Sequence, residues 1–151
     1  WFLDARAVPR INDISTDTAD PPALVQTLQM RRDAVSPPAY NKEFAPQQRE
    51  AYPDIQPIAL KLAPADAFKK VDAIAMALGW DVVARAPAEG RLEAVVTSKW
   101  FGFHDDVVVR IRAEGSGSRV DIRSKSRVGR SDLGVNARRI RDFTARLKAE
   151  N

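Results

Sequence analysis

The chain has 151 residues, 44% hydrophobic and 29% charged, with a net charge of +4; this suits one ordinary domain long enough to bury a core and excludes collagen-like, coiled-coil and wholly disordered chains. It has no cysteine and one histidine, His104, which excludes disulfides, thiol catalysis, thiolate metal sites and paired-histidine chemistry. No run of 18 apolar residues occurs, so these residues contain no membrane span.

The chain opens Trp1-Phe2-Leu3 and then turns polar. An apolar start without Met fits a processed product whose upstream hydrophobic segment was removed, and equally an arbitrary boundary. Prolines 9, 21, 22, 37, 38, 46, 53 and 57 interrupt the first 57 residues, while every glycine lies after residue 78. Residues 1–57 are therefore expected to be a Pro-rich arm wrapping the core, part of the same domain, with short helices near 22–33 and 43–51. Residues 58–151 are expected to form the α+β core.

Ile58 to Leu62 alternates as a strand. Pro64 and Asp66 open a helix whose apolar face is Phe68, Val71, Ile74, Ala75 and Leu78, and Gly79 ends it. Four strands follow: Trp80 to Arg85, Arg91 to Lys99, Asp106 to Arg112 and Arg119 to Arg127, with Glu114-Gly115-Ser116-Gly117-Ser118 as a hairpin loop. A last helix is expected from about Asp132 to Ala149, capped by Ser131 or Asp132. Its apolar stripe is Leu133, Ala137, Ile140, Phe143 and Leu147, opposite Arg138, Arg139, Arg141 and Arg146. The order β-α-β-β-β-β-α predicts a two-layer α+β domain with an antiparallel sheet of about five strands, one face buried and one partly wet. In element order alone it is similar to helix-grip and TATA-binding-protein-like layouts.

The positive charge is concentrated late. Residues 101–151 hold 12 Lys/Arg against 7 Asp/Glu, and residues 1–57 hold 6 against 8. If Ile111 lies opposite Ile122, then Arg110 faces Arg123, Arg112 faces Asp121, and the wet face carries Arg110, Arg112, Arg123, Lys125 and Arg127. Like charges directly opposite are unfavourable, so this face invites an acidic segment of the same chain (Asp13, Asp17 and Asp20 of the arm), an external anion, or simple solvation. Nucleic acid is disfavoured, because the face has no stacking aromatics.

Other polar stretches have two readings each. Residues 12–20 carry carboxylates and hydroxyls suited to a hard cation, but lack the glycine and terminal glutamate of a calcium loop, and Asx and Ser/Thr turns explain them better. Trp100, Phe101 and Phe103 make a pocket, a membrane-facing patch, or a plug for the end of the core, the plug being favoured. His104 beside Asp105 suggests a base and its orienter, but neighbours in a strand point to opposite faces. The loop from Ser126 to Gly134, with Arg127, Arg130, Ser131 and Asp132, offers a helix start to an anion; it does not match a P-loop.

Three stretches carry a likeness together: Ile11 to Asp17, Ala51 to Ile55, and Trp100 to Val108. With Ser126 to Ala137 they make the chain, from about residue 9 to 148, closely resemble the family called domain of unknown function 1499. The resemblance implies no transferable activity. It implies bacterial and plant relatives, the plant ones associated with the thylakoid lumen, and many bacterial ones with hydrophobic segments preceding this domain. The expectation is then a domain on the periplasmic side of the inner membrane, tethered by an anchor upstream of Trp1. Similar sequences often have other residues at His104, which weakens a catalytic role for it.

The reading is a non-catalytic binding or assembly domain without cofactor or metal. Its candidate ligand residues are Arg127, Arg130, Ser131, Asp132, Asn136, Arg110 and Arg123, for a protein subunit or an anionic lipid or envelope component. The alternatives are an envelope hydrolase using Asp13, Asp17, Asp105 or Asp106 with Ser131 or Asn136, and a lipid-binding helix-grip-like domain.

Overall fold

A computed structural model describes residues 8–31, 37–98, 102–129, 132 and 134–149. The elements in chain order are β1 (Asp13–Ser15), α1 (Gln26–Gln29), α2 (Phe44–Ala51), β2 (Ile58–Leu60), α3 (Pro64–Ala77), β3 (Asp81–Ala86), a 3₁₀ turn (Pro87–Glu89), β4 (Arg91–Thr97), β5 (His104–Glu114), β6 (Gly117–Ser126) and α4 (Val135–Lys148). The fold is α+β with an open, wholly antiparallel six-stranded sheet. Strands β3-β4-β5-β6 run in sequence order as a meander. The outer edge of β6 is shared by β2, paired with residues 118–120, and β1, paired with residues 123–125.

Alternation along the strands assigns one set of residues to the helices. Leu92, Ala94, Val107, Val109, Ile111, Val120 and Ile122 face α3 and α4 and meet Phe68, Val71, Ile74, Ile140, Phe143 and Leu147 in one buried cluster. Trp80 stacks on Phe143 with ring centroids 5.7 Å apart. These side chains form the buried core between the sheet and the last helix.

The opposite face is largely covered and stays wet only towards one end, where Arg112 is exposed. Glu93, Asp106 and Asp121 are fully buried there, and Arg123 and Lys125 nearly so, because the N-terminal arm covers them. Leu24 of the arm is buried on this side together with Val95 and Val108. The arm's polar residues form more than turns. Asp13–Ser15 is a strand, and the Gln48 side chain from α2 serves its free edge: Oε1 accepts from the Ser15 N–H at 3.1 Å and Nε2 donates to the Ser15 carbonyl at 2.7 Å. A side-chain amide here stands in for a neighbouring strand.

The β5–β6 register differs from expectation. Glu114 pairs with Gly117 across a two-residue turn, so Ile111 lies opposite Val120, Arg110 opposite Asp121 and Arg112 opposite Arg119. The shorter turn slides the partner strand by two residues. The faces are unchanged, because side chains repeat every two residues, but the cross-strand partners change. Arg110 thereby gains a carboxylate opposite it instead of a second guanidinium.

Gly90 closes the 3₁₀ turn with φ +64, and a Cβ there would lie 2.1 Å from the Ile111 carbonyl oxygen. Its own carbonyl accepts the Ile111 N–H at 2.7 Å. Gly90→Ala is expected to cost about 2–3 kcal/mol, combining left-handed strain with a backbone clash. Gly102→Ala, where φ is +65 but nothing lies within 4 Å, is expected to cost about 1–2 kcal/mol. Urea denaturation of the two variants measures the difference.

Candidate functional site

The candidate residues fall on both faces of β6. On the arm face, Arg123 makes a two-pronged pair with Asp13, Nε to Oδ1 at 2.9 Å and Nη2 to Oδ2 at 2.8 Å, and also donates to the carbonyls of Pro22 and Pro38. Lys125 Nζ lies 3.5 Å from the same Asp13 carboxylate. Burial pulls the Lys125 ammonium below its ordinary pKa; Asp13 opposes this, and Arg123 and Arg31 reinforce it. Arg127 grips Asp106 through Nε and Nη2 at 3.0 and 2.7 Å, and Arg31 pairs with the same carboxylate.

Further along the strand, Arg110, Arg112 and Arg119 converge on Asp17 and Asp121, with Asp20 at the exposed margin. Thr16 ties the arm down here, donating to Asp121 at 2.7 Å and accepting from the Ile122 N–H at 3.0 Å. Asp13 and Asp17 of the arm, with Asp106 and Asp121 of the sheet itself, thus neutralise the basic sheet face within the chain. The hydroxyls and carboxylates of residues 12–20 also make turns: Asp17 Oδ1 accepts from the N–H groups of Ala19 and Asp20.

On the helix face, a second polar cluster surrounds the start of α4. The helix begins at Val135, later than the expected Asp132, with Gly134 at the cap position, φ +84. Asp132 still serves as the capping acid from two residues upstream, accepting from the N–H groups of Gly134 at 2.7 Å and Asn136 at 3.2 Å. Arg130 and Ser131, both candidate ligand residues, lie outside the described residues, as do Leu133, Trp100 and Phe101. Asn136 is fully buried and links Ser124 (2.6 Å) to Ser126 (2.9 Å).

Sequence reasoning missed two members of this cluster, Ser124 and Arg139. Arg139, assigned to the outer face of the last helix, turns inward beside Asn136; its Nη1 donates to Ser124 and Asn136 and pairs with Asp105 at 2.9 Å. Its position on the flank of the apolar stripe, three residues after Asn136, was the signal available. Burial pushes the Asp105 carboxyl above its ordinary pKa despite Arg139 and Ser126. Burial raises Asp132 too, and the Asp105 charge adds to it, against the N–H bonds from Gly134 and Asn136.

The aromatic hairpin end departs from the core-plug reading at its described residue. Phe103 is 51% exposed. His104 is exposed on β5 and hydrogen-bonds the Thr97 hydroxyl at 3.1 Å, with no carboxylate bond among the described residues. Among the described residues no group of three or more His, Asp or Glu side chains could hold a metal ion.

The fold and both polar clusters lie within one matched region. The profile of the family described as protein of unknown function, DUF1499, matches residues 13–147. The chain belongs to this family. That match takes in β1 and almost all of α4, so DUF1499 includes the arm as well as the meander. A search of curated proteins finds no match. Similar solved structures include TTHA0849 from Thermus thermophilus, at 12% identity over 63% of this chain and 96% of that one, TM-score 0.34. Another is Ara h 8.0201, at 9% identity over 64% and 96%, TM-score 0.30. At these scores neither carries an argument about this member of DUF1499.

Proposed function

We propose that this DUF1499 chain is a non-catalytic binding or assembly domain of a membrane-tethered envelope protein, facing the periplasm, that holds an anionic group or a protein partner. The observation that carries the binding reading is where charge is left unmatched. Arg110, Arg123 and Arg127 are engaged by in-chain carboxylates and act as framework. The outward side of α4 presents Arg138, Arg146 and Lys148 exposed, with no carboxylate in ion-pair contact among the described residues. A guanidinium without an internal partner favours phosphate or carboxylate ligands.

The hydrolase alternative needs its carboxylates in one cleft. Asp105 and Asn136 lie on the helix face of the sheet, whereas Asp13 and Asp17 of the arm meet Asp106 and the arginines on the opposite face, and each of these acids is paired with an arginine. The envelope placement rests on the resemblance to relatives with preceding hydrophobic segments. Among the described residues no helix is long and apolar enough to cross a membrane.

Gentle extraction of the full-length protein from its host membrane, followed by native mass spectrometry, tests the binding reading. The expected result is a discrete extra mass, identifiable as a lipid, another anion or a protein subunit. A bare chain across mild detergents, with no co-purifying partner, would overturn it.

A further inference from the structure

One of the unmatched cations of α4, Arg138, borders a groove. It measures about 270 Å³, lies between α4, the end of α3 and β4, and is lined by Leu78, Trp80, Val96, Val135, Arg138, Arg139 and Asp142. The floor is apolar, with Trp80 held flat against Phe143 beneath it. The rim is mainly basic. Every hydrogen bond the structure gives the Arg139 guanidinium runs through Nη1, to Ser124 and Asn136, and its ion pair to Asp105 uses that nitrogen too. The guanidinium is thereby locked in place by buried neighbours, with Nε and Nη2 making no hydrogen bond among the described residues. Arg138 beside it is exposed and has no ion pair among the described residues. Asp142, the acid on the rim, makes no ion pair with either arginine. The start of α4 contributes nothing further, because Asp132 already occupies the N–H groups of Gly134 and Asn136.

We propose that this groove binds a phosphate monoester carried on a short apolar stem, the stem lying on Trp80 and Val135 and the phosphate between Arg138 and Arg139. Two guanidinium groups facing one site match a phosphate dianion better than a single carboxylate. One preorganised by three buried contacts gives up little side-chain entropy on binding. A groove of this size admits a head group and a short stem, not a whole acyl chain. The proposal rests on the binding reading above and gives it a ligand class and a place.

The probe is octyl phosphate, with octanol and inorganic phosphate as controls. Trp80 fluorescence is the readout, in a background where Trp1 and Trp100 are phenylalanine, and calorimetry of the unaltered protein serves as a second measurement. Saturable one-to-one binding of octyl phosphate is expected, each control being at least tenfold weaker. Arg138→Glu removes a rim charge and Val135→Phe fills the floor; each is expected to weaken binding at least tenfold with the unfolding midpoint unchanged. Octyl phosphate binding that neither variant alters would overturn the proposal. So would absence of saturable binding, including the case where vesicles of phosphatidylglycerol bind while soluble octyl phosphate does not. If the groove fails in either way while the native protein still carries an extra mass, the binding reading survives without this site; a bare native protein removes both.

Discussion

Asp13→Ala is expected to destabilise the domain by about 3–5 kcal/mol, because it leaves two buried cations without their anion. Asp13 is fully buried, and the side chains of Arg123 and Lys125 are only 4% and 3% exposed. In the native chain each guanidinium nitrogen of Arg123 reaches an acceptor, in two bonds to Asp13 and one each to the carbonyls of Pro22 and Pro38. Removing the carboxylate leaves the carbonyls, which neutralise no charge. A domain of this size has about 5–15 kcal/mol of total stability, so the loss is a large fraction of it. Asp20→Ala is the matched control. Its carboxylate is 75% exposed and lies 3.6 Å or more from Arg110 and Arg112, and an exposed pair of that kind contributes about 0–1 kcal/mol. Urea denaturation of both variants tests the contrast. Equal small effects would mean that the arm is a loosely held cover and not part of the cooperative fold.

That contrast also shows what could be read from sequence. Alternation and helical spacing sufficed for β2 to β6, α3 and α4, because all of them but β3 bury an apolar set against the same core and β3 packs Val82 partly against it. The charge pattern sufficed to place the acidic arm among the possible covers for the basic sheet face, and Asp13, Asp17 and Asp20 do lie there. It did not reveal β1. Asp13-Ile14-Ser15 has one apolar residue in three, and its pairing depends on Lys125, Ser124 and Arg123, more than a hundred residues away, and on the amide of Gln48. Nor did composition fix the hairpin register, since Glu114 to Ser118 accommodates turns of different lengths that keep the same faces. Arg139 was misassigned because its long side chain bends from the flank of the helix to a buried acid that the sequence places 34 positions earlier. Partner choice among many arginines and aspartates is a property of distance, and it becomes visible only once the strands are side by side.

Glu93→Gln is expected to cost about 2–3 kcal/mol at neutral pH, and to lose most of that penalty in acid. Glu93 sits fully buried in β4, yet most of its partners belong to the arm. Its carboxylate accepts from the N–H groups of Val25 (2.9 Å), Gln26 (2.9 Å) and Thr27 (3.2 Å), the hydroxyl of Thr27 (3.0 Å) and Arg91 Nε (3.1 Å). It therefore supplies, from the sheet, the anion for the otherwise unsatisfied N–H groups where α1 begins. Burial pushes the Glu93 carboxyl up, but the hydrogen bonds from Gln26, Val25 and Thr27 outweigh it and hold the pKa below the ordinary glutamate value. An acid depressed in the folded state binds fewer protons there than in the unfolded chain. Its stabilisation is thus present above the ordinary glutamate pKa and is lost as pH falls through the lower folded value. Asp105 and Asp132, raised by burial, act in the opposite direction, so the total acid limb of the protein mixes both signs. The difference between wild type and Glu93→Gln cancels those contributions. It should be largest near neutrality and shrink in acid, where the native carboxyl is itself protonated and resembles the amide. Hydrogen exchange at Val25, Gln26 and Thr27 should rise in the variant before exchange in β5 and β6 does, because the arm loses its anchor while the helix-facing core keeps every contact. A pH-independent penalty, or exchange that rises uniformly through the sheet, would show that Glu93 matters for packing and not as the charged clasp between arm and sheet.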